Sequence, residues 1–97
     1  MKKGYWVVSY HTIGDEAMMK SYSELAAAAL TPLGVRLLVS PKSEVTALEA
    51  GLKQMTVVAE FDSYATALAA HETADYKKAL AALGSDVKRD FRIAEGA

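Results

Sequence analysis

The spacing of apolar residues along the chain changes from a strand pattern to a helix pattern and back. Segment 5–11 is aromatic and β-branched with a large residue at nearly every position, as in a strand covered on both faces. From Asp15 the apolar residues recur every three or four positions, which predicts an amphipathic helix that ends at Pro32 and Gly34. The apolar positions of this helix are Met18, Tyr22, Leu25, Ala26, Ala29, Leu30 and Leu33.

The rest of the chain predicts a hairpin, a broken helix and a last strand. Pro41 stops the second strand, and Ser63 and Thr73 are N-cap residues for two helical pieces separated near His71. The predicted elements are strands at 35–40, 55–61 and about 87–95, helices at 64–70 and 74–83, and a shorter strand or irregular arm at 44–51.

This order of elements predicts a ferredoxin-like α+β fold over residues 1–97, taken as one domain. Two right-handed crossovers joined by a hairpin give an antiparallel sheet of order 4-1-3-2, with both helices on one face. The strands nevertheless look apolar on both faces, and an apolar patch of that size is unusual on a monomer. We therefore expect a homodimer in which a second copy covers the bare face, with Trp6 or its strand neighbours in an interface of roughly 1,200 Å² or more.

Composition excludes several classes of function. With 11 basic and 12 acidic side chains the chain has no field to attract nucleic acid or an anionic membrane. The absence of cysteine excludes a disulfide scaffold, a thiolate zinc site and a cysteine nucleophile. The apolar run near the N-terminus is too short for a signal peptide, and no segment approaches the length of a membrane span. We expect a cytoplasmic protein with no nucleic-acid or membrane partner.

Six segments also follow, in order, the pattern of one known family. The chain resembles the bacterial domains of unknown function numbered thirteen-thirty, within the dimeric α/β-barrel superfamily. It departs from them at Ser40-Pro41-Lys42, where relatives often have Arg-Gly-Gly, and at 71–76, where their aromatic residue and proline are absent. The matching segments are Gly4-Tyr5-Trp6-Val7-Val8; Asp15-Glu16-Ala17 with Tyr22; Gly34-Val35-Arg36-Leu37-Leu38-Val39; Val57-Val58-Ala59-Glu60-Phe61-Asp62-Ser63-Tyr64; Ala74-Asp75-Tyr76-Lys77-Lys78-Ala79-Leu80; and Ile93-Ala94-Glu95-Gly96.

The resemblance implies a ferredoxin-like protomer whose sheet joins that of a second protomer to form a barrel. It implies no reaction, because the family has no assigned activity. The wider superfamily includes cofactor-free monooxygenases, lactone isomerases and haem-dependent enzymes, a likeness of fold alone.

Arg36 and Glu60 are charged residues among apolar neighbours on strands that the sequence pairs as a hairpin. One interpretation is that they neutralise each other, or charges across the dimer, because an unpaired buried charge is strongly unfavourable. The other is that Arg36 binds a carboxylate or enolate while Glu60 moves a proton. His11, at the end of the first strand, is either a general base at the rim of a pocket or a loop histidine hydrogen-bonded to the backbone.

The aromatic residues offer a second set of candidates. Tyr10, Tyr22 and Tyr76 either fill the core or line a cavity for a flat aromatic ligand. His71, in the break between the helical pieces, faces either water or the mouth of that cavity. Two histidines without a characteristic spacing do not predict a metal site, and no motif indicates a cofactor.

We therefore expect a homodimer that binds a small organic molecule between sheet and helices. The alternative is a cofactor-independent enzyme of the monooxygenase or isomerase type, in which His11 or Glu60 removes a proton and Arg36 stabilises the enolate. A third hypothesis is a structural protein whose exposed sheet edge recruits another protein.

Overall fold

The computed structural model of the protein describes residues 1–97 as four strands and three helices in the predicted order. Strand boundaries differ from the predicted ones by one or two residues, and the second helical region is divided in two, as expected. The strands are β1 (Gly4–Tyr10), β2 (Arg36–Val39), β3 (Thr56–Phe61) and β4 (Arg89–Glu95). The helices are α1 (Glu16–Leu30), α2 (Tyr64–His71) and α3 (Ala74–Leu83), and a 3₁₀ turn at Thr31–Leu33 follows α1.

Local capping explains where the helices begin and end. Asp15, Ser63 and Thr73 each precede a helix, and each side chain accepts the backbone N–H three residues further on. Gly34, after the 3₁₀ turn, and Gly84, after α3, have φ of +74° and +80°, a region that glycine adopts without the steric cost of a side chain. The starts of the three helices are therefore set by capping side chains, and the ends of the 3₁₀ turn and of α3 by glycines.

The sheet is antiparallel and has the order β2-β3-β1-β4, the arrangement predicted for a ferredoxin-like fold. β2 and β4 are its edge strands. The register between β2 and β3 shifts between Leu37 and Val39, at an irregularity of the bulge type. The segment 40–55, which joins these two strands, contains no strand, so the irregular arm is the correct alternative for 44–51.

One face of the sheet forms the core with the helices, and we call it the inner face. Trp6, Val8 and Tyr10 of β1 point to this face, and all three are buried. Trp6 is only 3% exposed, and its indole N–H donates to the carbonyl oxygen of Ala67 in α2 at 2.8 Å. Trp6 therefore packs against the helices of its own chain. Of the residues expected at an interface between copies, Trp6 or its strand neighbours, only the neighbours remain available for such a contact.

The opposite face, which we call the outer face, has no helix over it and is less apolar than the sequence suggests. Val7, Val58 and Val39 lie opposite one another at its centre, where each is half-buried. Arg36 and Glu60 are also cross-strand partners on this face, because residues directly opposite each other in a sheet point to the same side. A central apolar strip with charged flanks therefore replaces the wholly apolar face that we predicted.

Candidate functional site

A groove of about 970 Å³ lies between α1 and the inner face of the sheet. It is mainly apolar, with 15 hydrophobic residues among the 22 that line it, as is usual for sites that bind small organic molecules. Leu37 in its wall is 57% exposed, so the groove is open to solvent on the β2 side. Residues that bound it include Trp6, Val8 and Tyr10 of β1 and Tyr22, Ala26 and Leu30 of α1.

The packing of the helices explains why the space exists. α1 packs chiefly against α3, whereas α2 packs on β1, β3 and β4. Several residues of α1 and β3 that face the groove have small side chains: Ala26, Ala27 and Ala59. The sheet beneath α1 is therefore incompletely covered within the chain, and the groove follows that uncovered strip.

Arg89, the first residue of β4, supplies a positive charge inside the groove. Its guanidinium carbon lies 5.5 Å from the ring centre of Tyr10, 5.1 Å from that of Tyr22 and 5.2 Å from that of Phe91. These distances are those of cation–π contacts, which stabilise a guanidinium that has lost part of its water. Arg89 forms no salt bridge with any Asp or Glu of the chain.

Tyr22 and Tyr76 continue this polar cluster away from the sheet. Nη1 of Arg89 donates to the hydroxyl oxygen of Tyr22 at 3.0 Å, and the two tyrosine hydroxyls are 2.7 Å apart. Burial raises the pKa of the Tyr22 hydroxyl well above its ordinary value of 10.0, and the nearby hydroxyl of Tyr76 adds to the effect. Tyr22 is therefore a neutral hydrogen-bonding group at physiological pH and not a phenolate base.

Of the four candidates for contact with an aromatic ligand, Tyr10 and Tyr22 line the groove. The other two, Tyr76 and His71, lie behind its wall. Tyr76 is fully buried, and its hydroxyl meets the polar end of the groove at the hydroxyl of Tyr22 and beside Arg89. The half-buried His71 packs among aromatic rings, with centroid distances of 5.9 Å to Trp6, 5.3 Å to Tyr76 and 5.1 Å to Phe91. His71 is absent from the groove wall, so its place is in the aromatic core next to it.

Arg36 and Glu60 lie on the outer face, on the other side of the sheet from the groove. Nε of Arg36 donates to Oε1 of Glu60 at 2.7 Å, and the Tyr5 hydroxyl donates to Oε2 at 2.8 Å. Arg36 also donates to Asp62 at 3.0 Å, and Lys3 lies 3.7 Å from that carboxylate. The interpretation in which the two charges satisfy each other describes this geometry.

His11 stands apart from both groups. Its side chain is exposed and Nδ1 is 3.1 Å from the amide nitrogen of Gln54, while its backbone N–H donates to the carbonyl oxygen of Lys88 at 2.8 Å. His11 does not line the groove, although its neighbour Tyr10 does. The proton-transfer hypothesis needs Arg36 beside His11 or Glu60 at a pocket. Arg36 and Glu60 are in contact, but on the outer face, and none of the three residues lines the groove.

The ion pair on the outer face makes stability depend on pH. Hydrogen bonding to Arg36 lowers the pKa of Glu60 below its ordinary 4.5, and the same guanidinium lowers the pKa of Asp62 below 3.8. Groups whose folded pKa is lowered contribute stability that is complete above the unfolded pKa and is lost as pH falls through the folded pKa. We therefore expect the free energy of unfolding to decrease as the pH falls below about 4.5.

Urea denaturation at a series of pH values, followed by circular dichroism, measures this dependence. The double variant Glu60→Gln, Asp62→Asn should have a flatter acid profile than the wild type. Glu49→Gln, in the 40–55 arm and outside every ion pair, is the matched control and should keep the wild-type profile. Equal profiles for the double variant and the wild type would show that this network does not couple to folding.

Arg89 is the site residue that sequence reasoning missed. In the last strand the apolar residues Val87, Phe91 and Ile93 occupy alternate positions, and residue 89 falls in the same alternation. A charged residue within such an alternation points to the same face as its apolar neighbours. The position of Arg89 in this alternation is therefore the sequence signal that its positive charge points toward the core.

The structure also bears on metal binding and on membrane insertion. No three His, Asp or Glu side chains converge in an arrangement able to hold a metal ion. None of the helices combines the length and apolar character that crossing a membrane requires.

The fold and the groove together define a ferredoxin-like α+β domain with an aromatic cleft of net positive charge between one helix and the sheet. Residues 3–97 match the model of the domain of unknown function DUF1330, and the chain belongs to this family. No curated protein matches the sequence.

A solved structure supports the fold over nearly the whole chain. It is that of RPA0582, a protein of unknown function from Rhodopseudomonas palustris solved as a structural genomics target. The two superpose with a TM-score of 0.73 at 11% sequence identity, over 99% of this chain and 83% of the other. At that identity the likeness concerns the fold alone.

Proposed function

We propose that the chain binds a small, largely apolar organic molecule in the groove between α1 and the sheet. The observation that supports this most directly is the groove of about 970 Å³, because its volume and mainly hydrophobic walls match those of ligand sites. The aromatic side chains of Trp6, Tyr10 and Phe91 in the wall suit a flat ring system by stacking and edge contacts. The polar cluster at Arg89 supplies the few directional groups that fix such a ligand in one orientation.

Blocking the groove tests this proposal. Ala27 and Ala28 are adjacent exposed residues of α1, and only Ala27 lines the groove. We expect Ala27→Trp to weaken binding of a neutral bicyclic probe, 2-naphthalenemethanol, by about tenfold or more because the indole occupies the same space. Ala28→Trp introduces the same side chain outside the groove and should leave binding unchanged.

Titrations followed by ¹H–¹⁵N NMR give both the affinity and the location. Trp6 is the single tryptophan and lines the groove, so its indole N–H signal reports on occupancy. The proposal fails if saturating probe leaves the signals of the groove residues unshifted, or if Ala27→Trp and Ala28→Trp bind the probe equally well.

We also propose that the protein is a homodimer in which two outer faces meet. The strip formed by Val7, Val58 and Val39 has no covering layer within the chain, and burying it removes apolar surface from water. Arg36 and Glu60 beside the strip are already paired with each other, so an approaching copy meets a nearly neutral rim. A two-fold symmetric contact of this kind is self-complementary, because each strip packs on its own copy.

A further inference from the structure

The donors and acceptors at the polar end of the groove determine which hydroxyl donates the hydrogen bond between Tyr22 and Tyr76. Tyr76 is 0% exposed, and its hydroxyl lies 2.7 Å from that of Tyr22 and beside the guanidinium of Arg89, which can only donate hydrogen bonds. If Tyr22 donated this bond, the hydrogen of Tyr76 would be buried without an acceptor, which costs about 1–3 kcal/mol. The hydroxyl of Tyr76 therefore donates to the oxygen of Tyr22.

The same count of donors and acceptors leaves donors directed at the groove without acceptors. The oxygen of Tyr22 already accepts from Tyr76 and from Nη1 of Arg89, so its own hydrogen has no acceptor within the chain. Arg89 carries five N–H donors; one donates to Tyr22, and the hydroxyls of Tyr10 and Tyr76 also lie beside the guanidinium. No carboxylate lies within salt-bridge distance, so its positive charge has no counter-ion within the chain. Tyr22 and Arg89 both line the groove.

A group that only accepts hydrogen bonds and carries one negative charge complements this end of the groove. A carboxylate has two acceptor oxygens, one for the hydroxyl of Tyr22 and one for the guanidinium edge of Arg89. The other charged residues of the wall, Lys20 and Glu16, have opposite signs, so the groove has one net positive charge. One positive charge balances a monocarboxylate and not a phosphate, which carries close to two negative charges at neutral pH.

We propose that the ligand is an aromatic monocarboxylate, held at its carboxylate by Arg89 and Tyr22 and along its ring by the apolar walls. This inference rests on the proposed small-molecule function of the groove and names its ligand class. Tyr76 serves as a positioning residue, since its O–H bond to Tyr22 turns the hydrogen of Tyr22 toward the ligand.

A pair of probes with the same ring system tests the inference separately from the groove itself. In NMR titrations of the wild-type protein at neutral pH, 2-naphthoate should bind about tenfold or more tightly than the neutral 2-naphthalenemethanol. If neither probe shifts the groove signals, the proposed function and this inference both fail. If the alcohol binds as tightly as the carboxylate, only the inference fails.

Variants of the polar cluster complete the test. Arg89→Met should weaken 2-naphthoate about tenfold or more and change binding of the alcohol by less than about twofold. Arg92→Met changes the same residue type on the same strand at an exposed position of the outer face and should bind both probes as the wild type does. Tyr22→Phe removes one hydroxyl and should weaken the carboxylate severalfold, which keeps the test available if Arg89→Met does not fold. Unchanged affinity for 2-naphthoate in Arg89→Met, or in Tyr22→Phe where Arg89→Met does not fold, overturns the inference.

Discussion

Replacing Trp6 with alanine is expected to lower the free energy of unfolding by about 3–5 kcal/mol, the range for large aromatic side chains removed from a core. The indole ring lies 5.1 Å from Phe61, 4.8 Å from Tyr76 and 5.0 Å from Phe91 between ring centres, so it joins β1 to β3, α3 and β4. Its N–H bond to the carbonyl oxygen of Ala67 adds α2 to the same contact. A domain of this size has a total stability of only about 5–15 kcal/mol, so the variant will be close to unfolding.

Urea denaturation followed by circular dichroism measures the change, because the variant lacks the tryptophan that fluorescence would use. Protein concentration is held equal for all variants, since association changes the apparent stability. Trp6→Phe keeps an aromatic ring and removes the N–H donor, so it should cost less than Trp6→Ala. A loss below about 1 kcal/mol in Trp6→Ala would contradict the position of this side chain in the core.

Replacing Val58 with aspartate is expected to convert the proposed homodimer into monomers. Val58 lies between Val7 and Val39 at the centre of the outer face, and two-fold symmetry places the substitution in the interface twice. An unpaired charge buried in an apolar contact costs about 3–5 kcal/mol, which corresponds to a loss of affinity of about a hundredfold or more. In the monomer the same aspartate is open to water, so the fold should persist.

Size-exclusion chromatography with light scattering reads the result directly. The wild type should have twice the 10.4 kDa mass of the chain at micromolar concentration, and Val58→Asp should have the mass of one chain. Leu68→Asp places the same charge at an exposed position of α2, away from the outer face, and should remain dimeric. A wild-type mass of one chain, or a dimeric Val58→Asp, contradicts the proposed interface.

The sequence predicts most of the fold because the deciding signals are local. The repeat of apolar residues predicts α1, and the side chains of Ser63 and Thr73 mark the starts of α2 and α3. The sheet order then follows from general rules on crossovers and hairpins. Local signals do not determine the structure of segment 40–55. No apolar repeat and no capping residue there distinguishes a strand from irregular chain.

The candidate site is less predictable because it depends on which face of each strand the helices cover. Alternation places Arg36 on the face opposite Leu37, but it does not say which of the two faces is inner. The strand register decides that, because Arg36 pairs with Glu60, and Glu60 with Tyr5, on the outer side. The sequence left open whether Tyr10 and Tyr22 fill the core or line a cavity, and in the structure both line the groove. The cation beside them emerges only when Arg89 is placed across from Tyr10.

The most direct test of the groove as a binding site is a crystal structure of the protein soaked with 2-naphthoate. We predict electron density for the ring system between α1 and the inner face of the sheet, with the carboxylate within hydrogen-bond distance of Arg89 and the Tyr22 hydroxyl. Density for the probe only on the outer face or at lattice contacts, with side chains collapsed into the groove, would contradict the proposed function.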